Sequence, residues 1–174
     1  GEANGPGLAF SFTSFFYPPT AFVVADLTAA KPVATRAVAV AAPVVPEDYE
    51  IAQVSYPSYD GTKVNLFIVK RKDLPQGPHP TLLYGYGGFQ VNMTPYFSRR
   101  AMFWLDRGGI YAVPNLRGGS EFGEDWHLAG TRERKHQVFR DFEYAMRYLI
   151  AEGYTTPKKL AIEGGSNGGL LMGA

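Results

Sequence analysis

The run Gly164-Gly165-Ser166-Asn167-Gly168-Gly169 constrains this chain more than any other feature. It follows the short apolar segment Leu160-Ala161-Ile162 and leads into Leu170-Leu171-Met172. A strand that passes through Gly-x-Ser-x-Gly into a helix must turn sharply at the serine. Residues two places before and after that serine then come too close for a Cβ, and glycine removes the contact. Such a turn holds the hydroxyl clear of the sheet. It also aims the first amides of the following helix at a reacting carbonyl, where the positive helix end favours an oxyanion. Ser166 is therefore read as a nucleophile. The competing reading is a Gly-rich phosphate loop or a plain turn, but no Gly-Lys-[Ser/Thr] is present to support a Walker loop.

A serine hydroxyl is a weak nucleophile until a base, usually a histidine oriented by a carboxylate, takes its proton. In a strand–turn–helix of this kind the chain order is Ser, then acid, then His. No Asp, Glu or His follows Ser166, and the three histidines, His79, His127 and His136, all precede it. His79 lies in a Gly-Pro-His-Pro loop and His136 at a charged helix start. His127 follows Trp126 in a loop on the face expected to carry the site. All three read as surface or packing residues rather than as the base. The chain begins without Met and stops inside an apolar run. Both ends are read as cuts in a longer protein that would carry the acid and the base.

Elsewhere the pattern changes near residue 46. Before it, Phe10–Phe15 alternates apolar and small residues, Pro18-Pro19 marks a turn, Ala21–Ala25 is a second strand, and Val38–Val45 is extended. These segments make a short antiparallel meander without a partner sheet, as one blade of a repeat array would. Beyond it, Ile51–Tyr56 and Thr62–Val69 flank Asp60-Gly61, a hairpin signal. Strand Thr81–Tyr84, helix Tyr96–Arg107, strand Ile110–Val113, helix Gln137–Glu152 and strand Leu160–Ile162 then alternate, with glycines closing both helices. Phe139, Phe142, Ala145, Met146, Leu149 and Ile150 fall at helical spacing. The alternation predicts a parallel sheet covered on both faces and an α/β fold class.

The segment Tyr84-Gly85-Tyr86-Gly87-Gly88-Phe89 follows an early strand of that sheet. Two readings stand for it. Its glycines admit close approach of substrate, and a tyrosine hydroxyl donates to an oxyanion as an amide does; equally, a Gly-rich strand-to-helix turn with aromatic packing has this composition.

Composition removes several functions. The 174 residues carry a formal net charge of +1, with Lys and Arg scattered, so no field gathers nucleic acid. The densest charged run, Arg132-Glu133-Arg134-Lys135-His136, contains an acid and reads as a solvated face. With no cysteine there is no disulfide, thiolate catalysis or Cys-ligated zinc. No cofactor or metal is expected. No apolar run approaches the ~20 residues that span a bilayer, and Gly1–Phe10 has no signal-peptide pattern. The cytoplasm is the expected compartment, and the periplasm also tolerates a Cys-free chain.

Three runs in order, Tyr84–Phe89, Asn115-Leu116-Arg117-Gly118-Gly119-Ser120-Glu121-Phe122-Gly123 and Gly164–Leu171, resemble the prolyl oligopeptidase family. Asp60–Val64 and Tyr148–Tyr154 fit as well, and Phe12–Phe15 with Asp26–Thr28 extends the likeness weakly toward the start. The resemblance implies a serine peptidase that cleaves short proline-containing peptides on the carboxyl side of proline. Residues 1–45 would be the last blade of a β-propeller with its linker. Residues 46–174 would be the N-terminal portion of an α/β-hydrolase domain. It implies Ser166 as nucleophile, the Asn167 N–H and the Tyr86 hydroxyl as oxyanion donors, and Phe89 as a wall of the proline-binding S1 pocket. A monomer is the family expectation. Arg140 before Asp141 departs from the family, where a second acid is frequent. The Arg117–Gly123 run matches without an assigned catalytic step. The alternatives are a related oligopeptidase of basic-residue or acylaminoacyl specificity, against which Phe89 argues, and a non-catalytic α/β-hydrolase-like binding module. The isolated chain is expected to be inactive and not stably folded alone.

Overall fold

A computed structural model describes residues 6–37 and 44–174. It divides into two units, Gly1–Pro46 with Pro95–Met102, and Glu47–Thr94 with Phe103–Ala174. In the first unit, β1 (Leu8–Phe12), β2 (Thr20–Val24) and β3 (Ala34–Arg36) form an antiparallel sheet in sequence order. The first strand stops earlier than the alternation suggested. The Thr13 hydroxyl and the Ser14 N–H both donate to the Tyr17 carbonyl, which turns the chain and leaves Phe15 and Phe16 buried. Phe10 stacks on its cross-strand partner Phe22, with ring centroids 5.4 Å apart. Asp26 accepts from the N–H and the hydroxyl of Thr28, which shapes the turn toward β3. Residues 38–43 of the expected Val38–Val45 strand lie outside the described residues.

The second unit holds a five-stranded sheet of β4 (Tyr49–Pro57), β5 (Lys63–Arg71), β6 (Thr81–Tyr84), β7 (Ile110–Pro114) and β8 (Leu160–Glu163), in the order β4-β5-β7-β6-β8. The β4–β5 hairpin is the one marked by Asp60-Gly61. Gly61 takes φ +81°, the Asp60 carboxylate accepts the Thr62 N–H, and Ser58 N–H bonds the Thr62 carbonyl. The sheet is mixed: the hairpin is antiparallel and the strands of the helix-linked part are parallel, as expected, but the antiparallel pairing of β5 with β7 was not foreseen. β6 runs parallel to β7 and β8, whereas β5 is antiparallel to both β4 and β7. The short turn gives the antiparallel β4–β5 pair and the helical connections after β6 and β7 give parallel crossovers, whereas β5 and β7, which no short turn joins, pair through tertiary packing.

Two helices serve those crossovers. α1 (Arg99–Asp106) is shorter than the expected Tyr96–Arg107 because Ser98 caps it, its hydroxyl accepting the Ala101 N–H at 3.3 Å. At its far end Gly108, at φ +75°, closes it with N–H bonds to preceding carbonyls. A short helix not foreseen from the sequence, α2 (Glu124–Leu128), precedes α3 (Lys135–Ala151). α3 buries Val138, Asp141, Phe142, Ala145 and Leu149. Its apolar members join Leu66, Ile68, Leu83, Ala112, Leu116 and Leu171 in one core. Each fully buried aliphatic side chain there contributes roughly 1.5–3 kcal/mol. That sum anchors the ends of β6 and β8, from which the site is built. β7, buried at every position, lies at the sheet's centre, and β8 lies at an edge.

Candidate active site

β8 delivers Ser166 to the start of α4 (Asn167–Gly173). Ser166 takes φ 54°, ψ −119° and is exposed. A residue with a Cβ avoids positive φ, and holding one there costs on the order of 1–3 kcal/mol. The glycines relieve the rest. A Cβ on Gly164 would run into the backbone of Gly168, and one on Gly168 into the carbonyl of Gly85. Gly165 and Gly169 meet nothing within 4 Å, so sterics demand only the two glycines that flank the serine at a distance of two. Asn167 is the first helical residue. Gly168 N–H turns back to the Gly165 carbonyl and Gly169 N–H to the Ser166 carbonyl, and no acceptor takes the Asn167 N–H among the described residues.

The strand-end loop of β6 lies beside this turn, because β6 pairs directly with β8 and Gly85 N–H bonds the Glu163 carbonyl at 2.9 Å. The buried Asn167 side chain ties the two together. Its Nδ2 donates to the Tyr86 carbonyl at 2.5 Å, and its Oδ1 accepts from Lys135 Nζ at 3.0 Å. Lys135 also donates to the Gly87 carbonyl at 2.7 Å. A carbonyl only accepts and an ammonium only donates, so this network fixes which end of the amide faces which partner. Gly88 makes room for it, since a Cβ there would sit 2.5 Å from Asn167 Nδ2. Tyr86 is half-buried. Phe89, at φ 54° and 76% exposed, presents its ring to solvent. Ser166, Asn167, Tyr86 and Phe89 therefore belong to two adjoining loops at one end of β6 and β8.

None of the three histidines hydrogen-bonds to Ser166 among the described residues, and each has one ring nitrogen on a backbone carbonyl. His79 Nε2 bonds the Pro75 carbonyl, His127 Nδ1 the Gly118 carbonyl and His136 Nδ1 the Glu133 carbonyl.

The Arg117 run has a structural task instead. The Arg117 guanidinium is buried and clamps Asp141 through Nε at 2.9 Å and Nη2 at 2.5 Å, and Asp60 through Nη1 at 2.6 Å. Ser58 Oγ donates to the same Asp141 carboxylate at 2.6 Å, and Tyr56 donates to the Asp141 carbonyl. This cluster joins the β4–β5 turn, the loop after β7 and α3. Burial works against the Arg117 charge, but the bonds to Asp141 and Asp60 outweigh it and hold the proton more tightly than usual. Arg140, the departure beside Asp141, points to solvent and pairs with Glu143. Nothing in the local pattern around Arg117 marks it as buried.

Lys135 corrects the reading of its run as a solvated face. Its neighbours Arg132, Glu133, Arg134 and His136 are exposed, but Lys135 is half-buried at the start of α3. Desolvation lowers its pKa from the ordinary lysine value.

Parallel strands that carry a serine on a positive-φ turn into a helix, with a Gly-rich loop from the adjacent strand alongside, define the α/β-hydrolase class. Residues 95–174 match the profile of the prolyl oligopeptidase family. The prolyl endopeptidase of Elizabethkingia meningoseptica is 45% identical over 178 residues, covering all of this chain and 24% of that protein. A structure from a structural and mechanistic analysis of two prolyl endopeptidases superimposes with a TM-score of 0.89 at 48% identity, over 99% of this chain and 25% of that one. Prolyl oligopeptidase B from Galerina marginata, bound to a 35mer hydrolysis and macrocyclization substrate, gives 0.85 at 40% identity, over 95% of this chain and 24% of that one. The chain belongs to the prolyl oligopeptidase family, and it spans about a quarter of the length of these relatives.

Proposed function

We propose that this chain supplies the nucleophile and the oxyanion hole of a serine peptidase that cleaves short peptides after proline. The observation that carries this reading is the exposed Ser166 at φ 54°, held between Gly164 and Gly168 beside the Tyr86 loop. In the proposed reaction a base takes the Ser166 proton, and Oγ attacks the carbonyl that follows proline. The negative oxygen that forms accepts from the Asn167 N–H and the Tyr86 hydroxyl. Collapse expels the amine, protonated by the same base, and water then releases the acyl group from Ser166. No histidine follows Ser166 in the chain and none hydrogen-bonds to it among the described residues, so the base and its acid are assigned to the remainder of the protein. The 174-residue chain by itself is then expected to show no turnover.

Phe89 is proposed as a wall of the S1 pocket: a flat, exposed ring on the loop adjoining the nucleophile suits a pyrrolidine. The substrate class is supported by the peptide-bound relative and the prolyl endopeptidases above. Residues 1–45 are proposed as the end of a β-propeller and 46–174 as part of the hydrolase domain, with the antiparallel order of β1, β2 and β3 in support. The cytoplasm is the proposed compartment.

The test uses the full-length protein. Ser166→Ala should abolish both fluorophosphonate labelling and hydrolysis of a Pro-p-nitroanilide peptide, and the wild type should prefer that peptide to its Arg and Ala analogues. Labelling that persists in Ser166→Ala removes the nucleophile assignment; a preference for the Arg analogue removes the proline specificity.

A further inference from the structure

Lys135 occupies a place that stability alone does not favour. It is the first residue of α3, where the positive end of the helix dipole repels a cation. Its ammonium is partly withdrawn from water, and no carboxylate pairs with it among the described residues. Both of its hydrogen-bond acceptors are neutral oxygens, the Gly87 carbonyl and Asn167 Oδ1. The desolvation that lowers its pKa is therefore not offset by an ion pair. What this placement achieves is geometric. Two successive carbonyls of the β6 loop are gripped from the other side of the site, Tyr86 O by Asn167 Nδ2 and Gly87 O by Lys135 Nζ. The same ammonium holds the Asn167 amide in the orientation that lets Nδ2 reach Tyr86. The backbone that carries the Tyr86 hydroxyl is thereby fixed relative to the backbone that carries the Asn167 N–H.

We propose that Lys135 is a positioning residue for the oxyanion hole, setting the separation of its two donors through the Asn167 side chain and the Gly87 carbonyl. This rests on the reading of Ser166 as nucleophile with Asn167 and Tyr86 as donors. Lys135 itself touches no reacting atom. Its loss should act on the transition state, where the donors must converge on one oxygen, and leave substrate binding nearly alone.

The experiment compares wild type, Lys135→Met, Asn167→Ala and the double variant in the full-length enzyme with a Pro-p-nitroanilide peptide. Active-site titration with a fluorophosphonate normalises each rate to reactive enzyme. Asn167→Ala keeps the backbone N–H and removes only the side-chain link. Lys135→Met should lower kcat about 10- to 100-fold, the range expected when a catalytic group is displaced by up to about 1 Å, with KM within about twofold. The double variant should be little worse than the poorer single variant, because both break one chain of contacts. A kcat within about twofold of wild type overturns the proposal, and so does a double variant whose loss is the product of the single losses. Should Lys135→Met fail to accumulate, Lys135→Gln is measured in its place. It retains a donor and the polarity but not the ammonium's reach to both oxygens, and an unchanged kcat overturns the proposal equally. Ser166→Ala separates the two readings. If Ser166→Ala retains turnover, the nucleophile assignment has failed; if it is inactive while Lys135→Met is unimpaired, only the role of Lys135 has failed.

Discussion

Replacing Asp141 with asparagine keeps the volume of the side chain and removes its charge. The Asp141 carboxylate accepts from the Arg117 N–H at 3.1 Å, from Arg117 Nε and Nη2, and from Ser58 Oγ. An amide offers one acceptor oxygen where there were two. In place of Oδ2 its NH₂ faces the Arg117 N–H and Nε, which only donate; in place of Oδ1 it faces Nη2, which only donates, and Ser58 Oγ, which must turn round to accept. About two buried donors lose a partner, at roughly 1–3 kcal/mol each. Considered instead as a broken buried ion pair, the loss is about 3–5 kcal/mol. The two routes overlap, and Asp60, still bound to Arg117, argues for the lower end, about 3 kcal/mol. Because the cluster joins β4–β5 to α3, the effect should be regional. Hydrogen–deuterium exchange of the full-length protein should show peptides covering Tyr49–Arg71 and Lys135–Ala151 exchanging about 100-fold faster, since every 1.4 kcal/mol is tenfold. The double change Arg117→Met with Asp141→Leu should recover most of the protection, because apolar residues of similar size frequently replace a buried pair without loss. Acceleration below about threefold in Asp141→Asn would show that the cluster does not hold these elements together, and would refute the reasoning.

Further outcomes follow from the same contacts. Gly168→Ala forces a Cβ onto the Gly85 carbonyl, so the turn must shift and fluorophosphonate labelling of the full-length enzyme should slow at least tenfold; normal labelling would contradict the steric account. Tyr86→Phe should reduce kcat about 10²–10³-fold with little change in KM, the usual weight of one oxyanion donor, and an unchanged rate excludes its hydroxyl from that role. Phe89→Ala removes a ring that is 76% exposed, so stability should change by less than about 0.5 kcal/mol. Its kcat/KM for the Pro substrate should nevertheless fall; an equal fall for the Ala analogue would deny it a part in S1. Burial pushes the Asp60 carboxyl up, but the Arg117 bond and the Thr62 N–H outweigh this and hold it below its ordinary 3.8. A group depressed in the folded state stabilises fully above the unfolded value and ceases to as pH falls through the folded one. The stability difference between wild type and Asp60→Asn should therefore shrink as the solution is taken from about pH 5 to below about pH 3, and a constant difference would rule out Asp60 as its source.

How far the sequence disclosed this structure depends on how local each cause is. The turn at Ser166 was legible because its steric demand involves residues within two positions. The β4–β5 hairpin was legible because Asp60-Gly61 writes the turn chemistry directly. Strands β6, β7 and β8 and helix α3 followed from apolar runs and helical spacing, with ends displaced by a few residues where caps such as Ser98 decide. β3 has three exposed residues and exists by pairing with β2, so no internal pattern announces it. The antiparallel pairing of β5 with β7 was missed because it is a tertiary choice between strands distant in sequence. Arg117 and Lys135 were missed for a related reason. Each looks like an ordinary surface cation until partners tens of residues away are brought to it. The one hint for Lys135 was a cation at a helix start, where an acid is the usual choice.

The Asn167 amide reaches back 81 positions to the Tyr86 carbonyl, and Lys135 reaches back 48 to Gly87. Contacts that close such long stretches of chain form late in folding, after local turns and helices. The strained bend at Ser166 draws on the same distant strands, since its glycines are crowded by Gly85 as well as by one another. A chain in which these contacts have not yet closed therefore carries the Ser166 hydroxyl without the surroundings that hold its turn. The bend at Ser166 is thus coupled to completion of the sheet, although its own sequence signal is local.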